Sequence, residues 1–176
     1  MSNLGRPRIV NPEMDELRFD DDNEVFRRLL TPEIVCNFRA AQVPVTRIPE
    51  GFILDPAAGS GGQLAAYGEK LRRDCVGVEL SPRRAVRCAN SLTRLEDSSE
   101  NLAICGDGLD SEGVMALVRE KIGGMKVAML HVDPARPLDA QNHSISEMEP
   151  PLRPLLEAWS DSVSYTHLTL PTTPYV

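Results

Sequence analysis

The chain has 176 residues and a formal net charge of −7, so its length suits one domain and its charge argues mildly against a basic nucleic-acid footprint. No apolar run approaches the roughly 20 residues of a membrane-spanning helix and no signal peptide is visible, which makes the cytoplasm the expected compartment. Cys36, Cys75, Cys88 and Cys105 show no metal-ligand pairing and His131, His143 and His167 join no cluster, so a metal site is not expected and buried free thiols are.

In chain order, residues 1–12 read as disordered, with Gly and two Pro among polar residues. Asp15 to Leu30 reads as a helix with Leu17, Phe19, Val25, Phe26, Leu29 and Leu30 as its apolar contacts. Thr31-Pro32-Glu33 is a helix start, with Thr as N-cap and Pro at the first position, and this helix runs to about Ala41. It either covers part of a ligand pocket or only packs. Pro44, Pro49 and Gly51 mark the entry into a sheet.

Four continuous apolar runs then predict parallel strands covered on both faces: Phe52-Ile53-Leu54, Cys75 to Val78, Leu102 to Cys105, and Val127 to Val132. Helical segments alternate with them at Gly62–Leu71, Pro82–Leu95 and Ser111–Ile122, and Pro151–Trp159 follows. This alternation predicts a doubly wound α/β sheet with right-handed crossovers and ligands beyond the carboxyl ends of the strands. The segment from Pro134 to Pro154 holds five Pro and reads as a loop on the substrate side.

Each strand ends in a signal. Asp55-Pro-Ala-Ala-Gly59-Ser-Gly61-Gly62 turns the first strand into a helix whose free N–H groups attract an anion. Leu64 stands where the dinucleotide fingerprint needs its third Gly, which disfavours NAD, and the phosphate-loop Lys is also absent. A carboxylate at Asp55 would repel a pyrophosphate but engages an amino group. Glu79 lies about 20 residues after the loop, where a carboxylate can accept both ribose hydroxyls. Asp107, in Gly106-Asp107-Gly108, either accepts an adenine amino group or is an ordinary turn Asp. Asp133-Pro134 forces an abrupt exit from the fourth strand and presents Asp133 to a substrate, or simply terminates that strand. The order of these signals points to an S-adenosyl-L-methionine (SAM) site.

Residues 31–160 resemble class I SAM-dependent methyltransferases. The resemblance is carried by Thr31-Pro32-Glu33, the glycine loop, Glu79-Leu80-Ser81-Pro82-Arg83, Asp133-Pro134-Ala135-Arg136-Pro137 and Glu147-Met148-Glu149-Pro150-Pro151-Leu152. These look like a subgroup of archaeal and bacterial proteins related to THUMP-like and trimethylguanosine-synthase-like RNA methyltransferases. The resemblance implies a Rossmann-like fold, SAM as cofactor and an RNA base as substrate. It implies Asp55, Gly59 and Gly61 for the methionine end, Glu79 for the ribose and Asp107 for the adenine, with Ala57, Ser60, Leu80 and Gly108 also cofactor-binding, and Asp133 and Pro134 facing the substrate. Amino-directed base methyltransferases usually follow that Pro with a second Pro and a stacking aromatic, where this chain has Ala135 and Arg136. Protein or small-molecule acceptors, and a non-catalytic nucleotide-binding module of the same fold, are the alternatives.

Arg83, Arg84, Arg87 and Arg94 fall at roughly helical spacing, which fits either an RNA-binding patch or a solvated helix face. Residues 163–173 resemble a translated transposase sequencing adapter and are expected to be foreign to the gene. The expected organisation is therefore an N-terminal extension over residues 1–45, a SAM-binding domain over 46–162, and an artefactual tail over 163–176. On that reading the natural sequence stops near Asp161, the sheet is truncated after about four strands, the fourth strand is an unpaired edge, and the fragment is inactive.

Overall fold

The computed structural model describes residues 6–11, 31–95, 100–133, 148–163 and 166–168. The helix expected over Asp15–Leu30 and most of the Pro134–Pro154 loop lie outside the described residues.

A six-stranded mixed sheet forms the centre. Its strands are β1 (Arg8–Ile9), β2 (Phe52–Asp55), β3 (Cys75–Glu79), β4 (Leu102–Cys105), β5 (Val127–Val132) and β6 (Thr166–Leu168), in the spatial order β1-β4-β3-β2-β5-β6. The described residues form the helices α1 (Glu33–Ala41), α2 (Gly62–Leu71), α3 (Pro82–Leu92), α4 (Ser111–Ile122) and α5 (Leu152–Trp159). Strands β2 to β6 pair in parallel and β1 pairs antiparallel with β4. The four expected strands and the helices between them are present. The chain winds outward from β2 through β3 to β4, then returns to place β5 on the other side of β2. This makes the β2/β5 boundary the topological switch point, where open α/β sheets bind ligands.

The two faces of the sheet bury separate cores. Ile53, Cys75, Leu64, Tyr67, Ala85 and Cys88 pack on the face that carries α1, α2 and α3. Phe52, Leu54, Val76, Val78, Val114, Leu155 and Trp159 pack on the face that carries α4 and α5. Every residue of β2, β3 and β5 is buried, as continuous apolar runs require.

Alternation slips once, and the slip matters for the site. Phe52 pairs with Val127, but Ile53 pairs with Met129, so Ala128 is an extra residue on β5. Such a bulge reverses the face on which every later side chain falls. Ahead of it, Val127 lies in the α4/α5 core; beyond it, Met129 lies in the α1–α3 core. His131 and Asp133 follow Met129 onto that second face. Gly51 accommodates the bulge: its φ is 140°, and a Cβ there would stand 2.2 Å from the Lys126 carbonyl oxygen.

Three expectations are corrected. Residues 1–12 are not wholly without structure, because Arg8–Ile9 adds a strand to the β4 edge and the Val10 N–H donates to the Ala103 carbonyl at 2.8 Å. The sheet does not end after four strands, and β5 is not an unpaired edge, because Leu130, His131 and Val132 pair with Thr166, His167 and Leu168. Ladder bonds run between backbones, so an edge accepts an extended segment with little regard for its side chains or origin. Finally, α1 begins one residue later than expected: Pro32 takes the N-cap position without a side-chain cap, and its carbonyl accepts from Cys36 N–H at 3.1 Å.

Candidate functional site

The glycine loop leaves β2 at the switch point. The Asp55 Oδ1 accepts the Ala57 N–H at 2.9 Å, and the Ala58 N–H donates to the Val78 carbonyl at 2.9 Å. These bonds pin the turn to both strands. Gly61 is the N-cap of α2 with φ 77°, and a Cβ there would lie 2.9 Å from Cys88 Cα, so no larger residue fits. Gly59 also has positive φ, at 56°, but no described residue lies within 4 Å of its notional Cβ. Among the described residues the loop is therefore packed beneath Gly61 and open above Gly59, as a backbone cradle for a ligand requires.

Leu64 is fully buried, and its methyl lies 3.1 Å from the notional Cβ of Gly77 on β3. The third Gly of a dinucleotide fingerprint lets helix and strand approach closely. Here the strand supplies that glycine instead, and the helix keeps its leucine.

Glu79 is buried at the end of β3. Its Oε2 accepts the Gly59 N–H at 3.0 Å; its Oε1 accepts the Ser81 N–H at 2.8 Å and pairs with Arg84 at 2.9 Å. An ionised carboxylate offers about four lone-pair positions. Three are in use, which leaves one for a hydroxyl. Leu80 follows with its side chain exposed. Ser60 lies at the loop's far side, where its carbonyl accepts the Ser91 hydroxyl at 2.8 Å.

Asp107 follows β4 and forms a turn through Oδ1, which accepts the Leu109 N–H at 2.9 Å. Gly108 presses against the glycine loop, with its notional Cβ 2.0 Å from the Pro56 carbonyl oxygen. On the opposite face the buried Trp159 donates its indole N–H to the Gly108 carbonyl at 2.8 Å. The turn that carries Asp107 is thus held between α5 and the loop.

The switch point itself carries groups that the sequence did not single out. The fully buried His131 binds Asp55 Oδ2 through Nδ1 at 2.9 Å. Its ring packs on Tyr67 of α2, with centroids 4.8 Å apart. Asp55 therefore faces into the sheet, with one oxygen on the loop and the other on His131. Beyond it, Asp133 Oδ2 pairs with Arg39 Nη1 of α1 at 2.7 Å, and both side chains are about a quarter exposed. Burial raises the Asp133 carboxyl above its ordinary range, the charges of Arg39 and His131 oppose that shift, and Asp55 adds to it. Pro134 lies outside the described residues.

The structure thus brings Asp107, Glu79, Asp55 and Asp133 to the ends of four neighbouring parallel strands. A separate cleft of about 520 Å³ opens between α1, α2 and α3. It touches the glycine loop only at Ser60 and Gly62, and Asn37, Glu69, Arg87, Asn90 and Arg94 line it. Among the described residues there is no group of three His, Cys, Asp or Glu that could hold a metal ion, and no helix long and apolar enough to cross a membrane.

No known family model matches the chain, and no curated protein does. The functional reading stands on this geometry and on the resemblance of its motifs.

Proposed function

We propose that the chain binds SAM across the ends of β4, β3 and β2 and transfers its methyl group to an RNA base at the end of β5. The observation that carries this reading is the row of acids, Asp107, Glu79, Asp55 and Asp133, in the spatial order of the sheet. A glycine loop stands at the switch point between the last two. Open space above Gly59 suits the amino-acid end of the cofactor. The remaining acceptor position of Glu79 suits a ribose hydroxyl, and Asp107 suits an adenine amino group.

Bound there, SAM supplies a methyl group to a nucleophile held in line with it. The chain's own contribution is mainly alignment. The loop and Glu79 fix the donor, and Asp133 orients the acceptor or takes its proton. An RNA acceptor is supported by the motif resemblance and by Arg87 and Arg94, which line the cleft beside the loop. A protein or small-molecule acceptor is the second reading, favoured by Glu33 and Glu69 in the same cleft and by the chain's net charge of −7.

The test incubates the chain with labelled SAM and either total RNA or a protein extract. With the β5 edge paired, the chain is expected to be active despite the inactivity its sequence suggests: label appears in RNA, and Asp133→Ala abolishes transfer while retaining the cofactor. Label in protein alone would reverse the choice of acceptor. Loss of cofactor binding in Asp133→Ala would remove Asp133 from the acceptor side.

A further inference from the structure

We infer that Arg39 is a positioning residue: it reaches from α1 across the switch point to hold the Asp133 carboxylate ionised and aimed at the methyl acceptor. The inference rests on the proposed methyl transfer. Nothing in the sequence pairs these residues, which stand 94 positions apart. The fold makes the pair through two independent devices.

The first is the β2/β5 register. Ile53 pairs with Met129 and both lie in the α1–α3 core, so Asp133, an even number of residues beyond Met129, leaves β5 on the face where α1 lies. The second is the mounting of α1. Cys36 and Ala40 are buried against α2, and Gln63 Nε2 of α2 donates to the Cys36 carbonyl at 3.0 Å. Arg39 therefore projects from a fixed helix rather than from a mobile segment, and its Nη1 meets Asp133 Oδ2 at 2.7 Å.

The groups facing Asp133 define what Arg39 must do. From β5 comes His131, which is engaged by Asp55; from β2 comes the Asp55 carboxylate; from α1 come Arg39 and Cys36, whose thiol is buried. The setting combines partial burial with a neighbouring acid, and both favour the protonated carboxyl. Arg39 is the cation in direct contact that opposes them. A protonated Asp133 can still donate a hydrogen bond, but it can no longer accept one from an acceptor N–H nor take its proton. Arg39 occupies Oδ2, which leaves Oδ1 for the acceptor and fixes the plane of the carboxylate.

The experiment follows the Asp133 carboxyl carbon by NMR across pH in the ¹³C-labelled chain, with Asp133→Asn to assign the signal. Arg39→Met and Arg39→Lys are the variants. In Arg39→Met the Asp133 midpoint is expected to move up. The ionised fraction on the acid side then falls about tenfold for each unit moved. The acid limb of the transfer profile moves by the same amount, while binding of S-adenosylhomocysteine is unchanged. Arg39→Lys keeps the charge and returns the midpoint towards that of the parent chain. An unmoved midpoint in Arg39→Met overturns the inference. If the variants fail to fold, the parent chain still decides: its Arg39 guanidinium signals must shift with the Asp133 midpoint, and independence of the two overturns the pairing. A moved midpoint in a chain that methylates nothing leaves the pair intact and removes the methyltransferase reading instead.

Discussion

The buried pair of Asp55 and His131 gives the most demanding prediction. His131→Phe keeps an aromatic ring against Tyr67 but removes the partner of Asp55 Oδ2, a buried oxygen now 2.9 Å from the imidazole. Asp55 Oδ1 remains tied to the Ala57 N–H, so the carboxylate cannot swing to solvent without opening the glycine loop. Breaking a buried pair by removing one partner costs about 3–5 kcal/mol. For a chain of this size that corresponds to a fall of roughly 6–20 °C in Tm. Asp55→Asn keeps the shape and a hydrogen bond, so it should cost only about 1 kcal/mol. The double variant should be more stable than the sum of the singles predicts, by about 1–3 kcal/mol. Urea unfolding with a common slope measures all three. A His131→Phe chain within 1 kcal/mol of the parent, or strict additivity, would refute the argument that the pair holds the loop to β5.

Other predictions follow from contacts around the loop. Gly61→Ala meets the Cys88 backbone and sits at positive φ, so it should cost about 2–5 kcal/mol; Gly59→Ala, with open space around it, should cost only about 1–2. Trp159→Phe removes the indole bond to Gly108 and should cost about 1 kcal/mol and weaken S-adenosylhomocysteine binding through the Asp107 turn, both read by calorimetry. Burial raises the Cys75 and Cys88 thiols above their ordinary range, so thiolate is scarce at pH 8. Both should resist iodoacetamide in the native chain and react once urea unfolds it, as mass spectrometry would show.

The four central strands were legible because burial on both faces turns each of them into an unbroken apolar run, and the helices between them carry their own start signals. Ser81-Pro82 is one such signal: Pro82 opens α3 at its first position. Arg8–Ile9, only two residues long, gave no such signal and is a strand because the open β4 edge stood beside it. The Thr and Leu alternation around Thr166–Leu168 was strand-like but was set aside with the segment that resembles an adapter, and the β5 edge pairs with it all the same.

The site divided along the same line. Asp55, Gly59, Gly61, Glu79, Asp107 and Asp133 were visible because strand ends locate them. His131 forms no cluster in the sequence, and only the β2/β5 register sets it beside Asp55. The bulge at Ala128 left no mark that could be read locally, yet it breaks the alternation between Val127 and Met129, so the faces of His131 and Asp133 could not be counted from the start of β5. Arg39 was hidden for the same reason: α1 was expected either to cover the pocket or merely to pack, and only tertiary placement shows its reach. The row of lone pairs on Glu79 was likewise invisible, since Gly59, Ser81 and Arg84 converge on it only in three dimensions.

We propose these strand ends as a SAM site rather than a dinucleotide site. Calorimetric titration of S-adenosylhomocysteine and of NAD into the full chain tests it directly, with circular dichroism to establish folding and Glu79→Gln as control. Saturable binding of S-adenosylhomocysteine, no heat from NAD, and weaker binding in the variant are expected. A folded chain that binds NAD instead, or that binds neither ligand, would contradict the proposal.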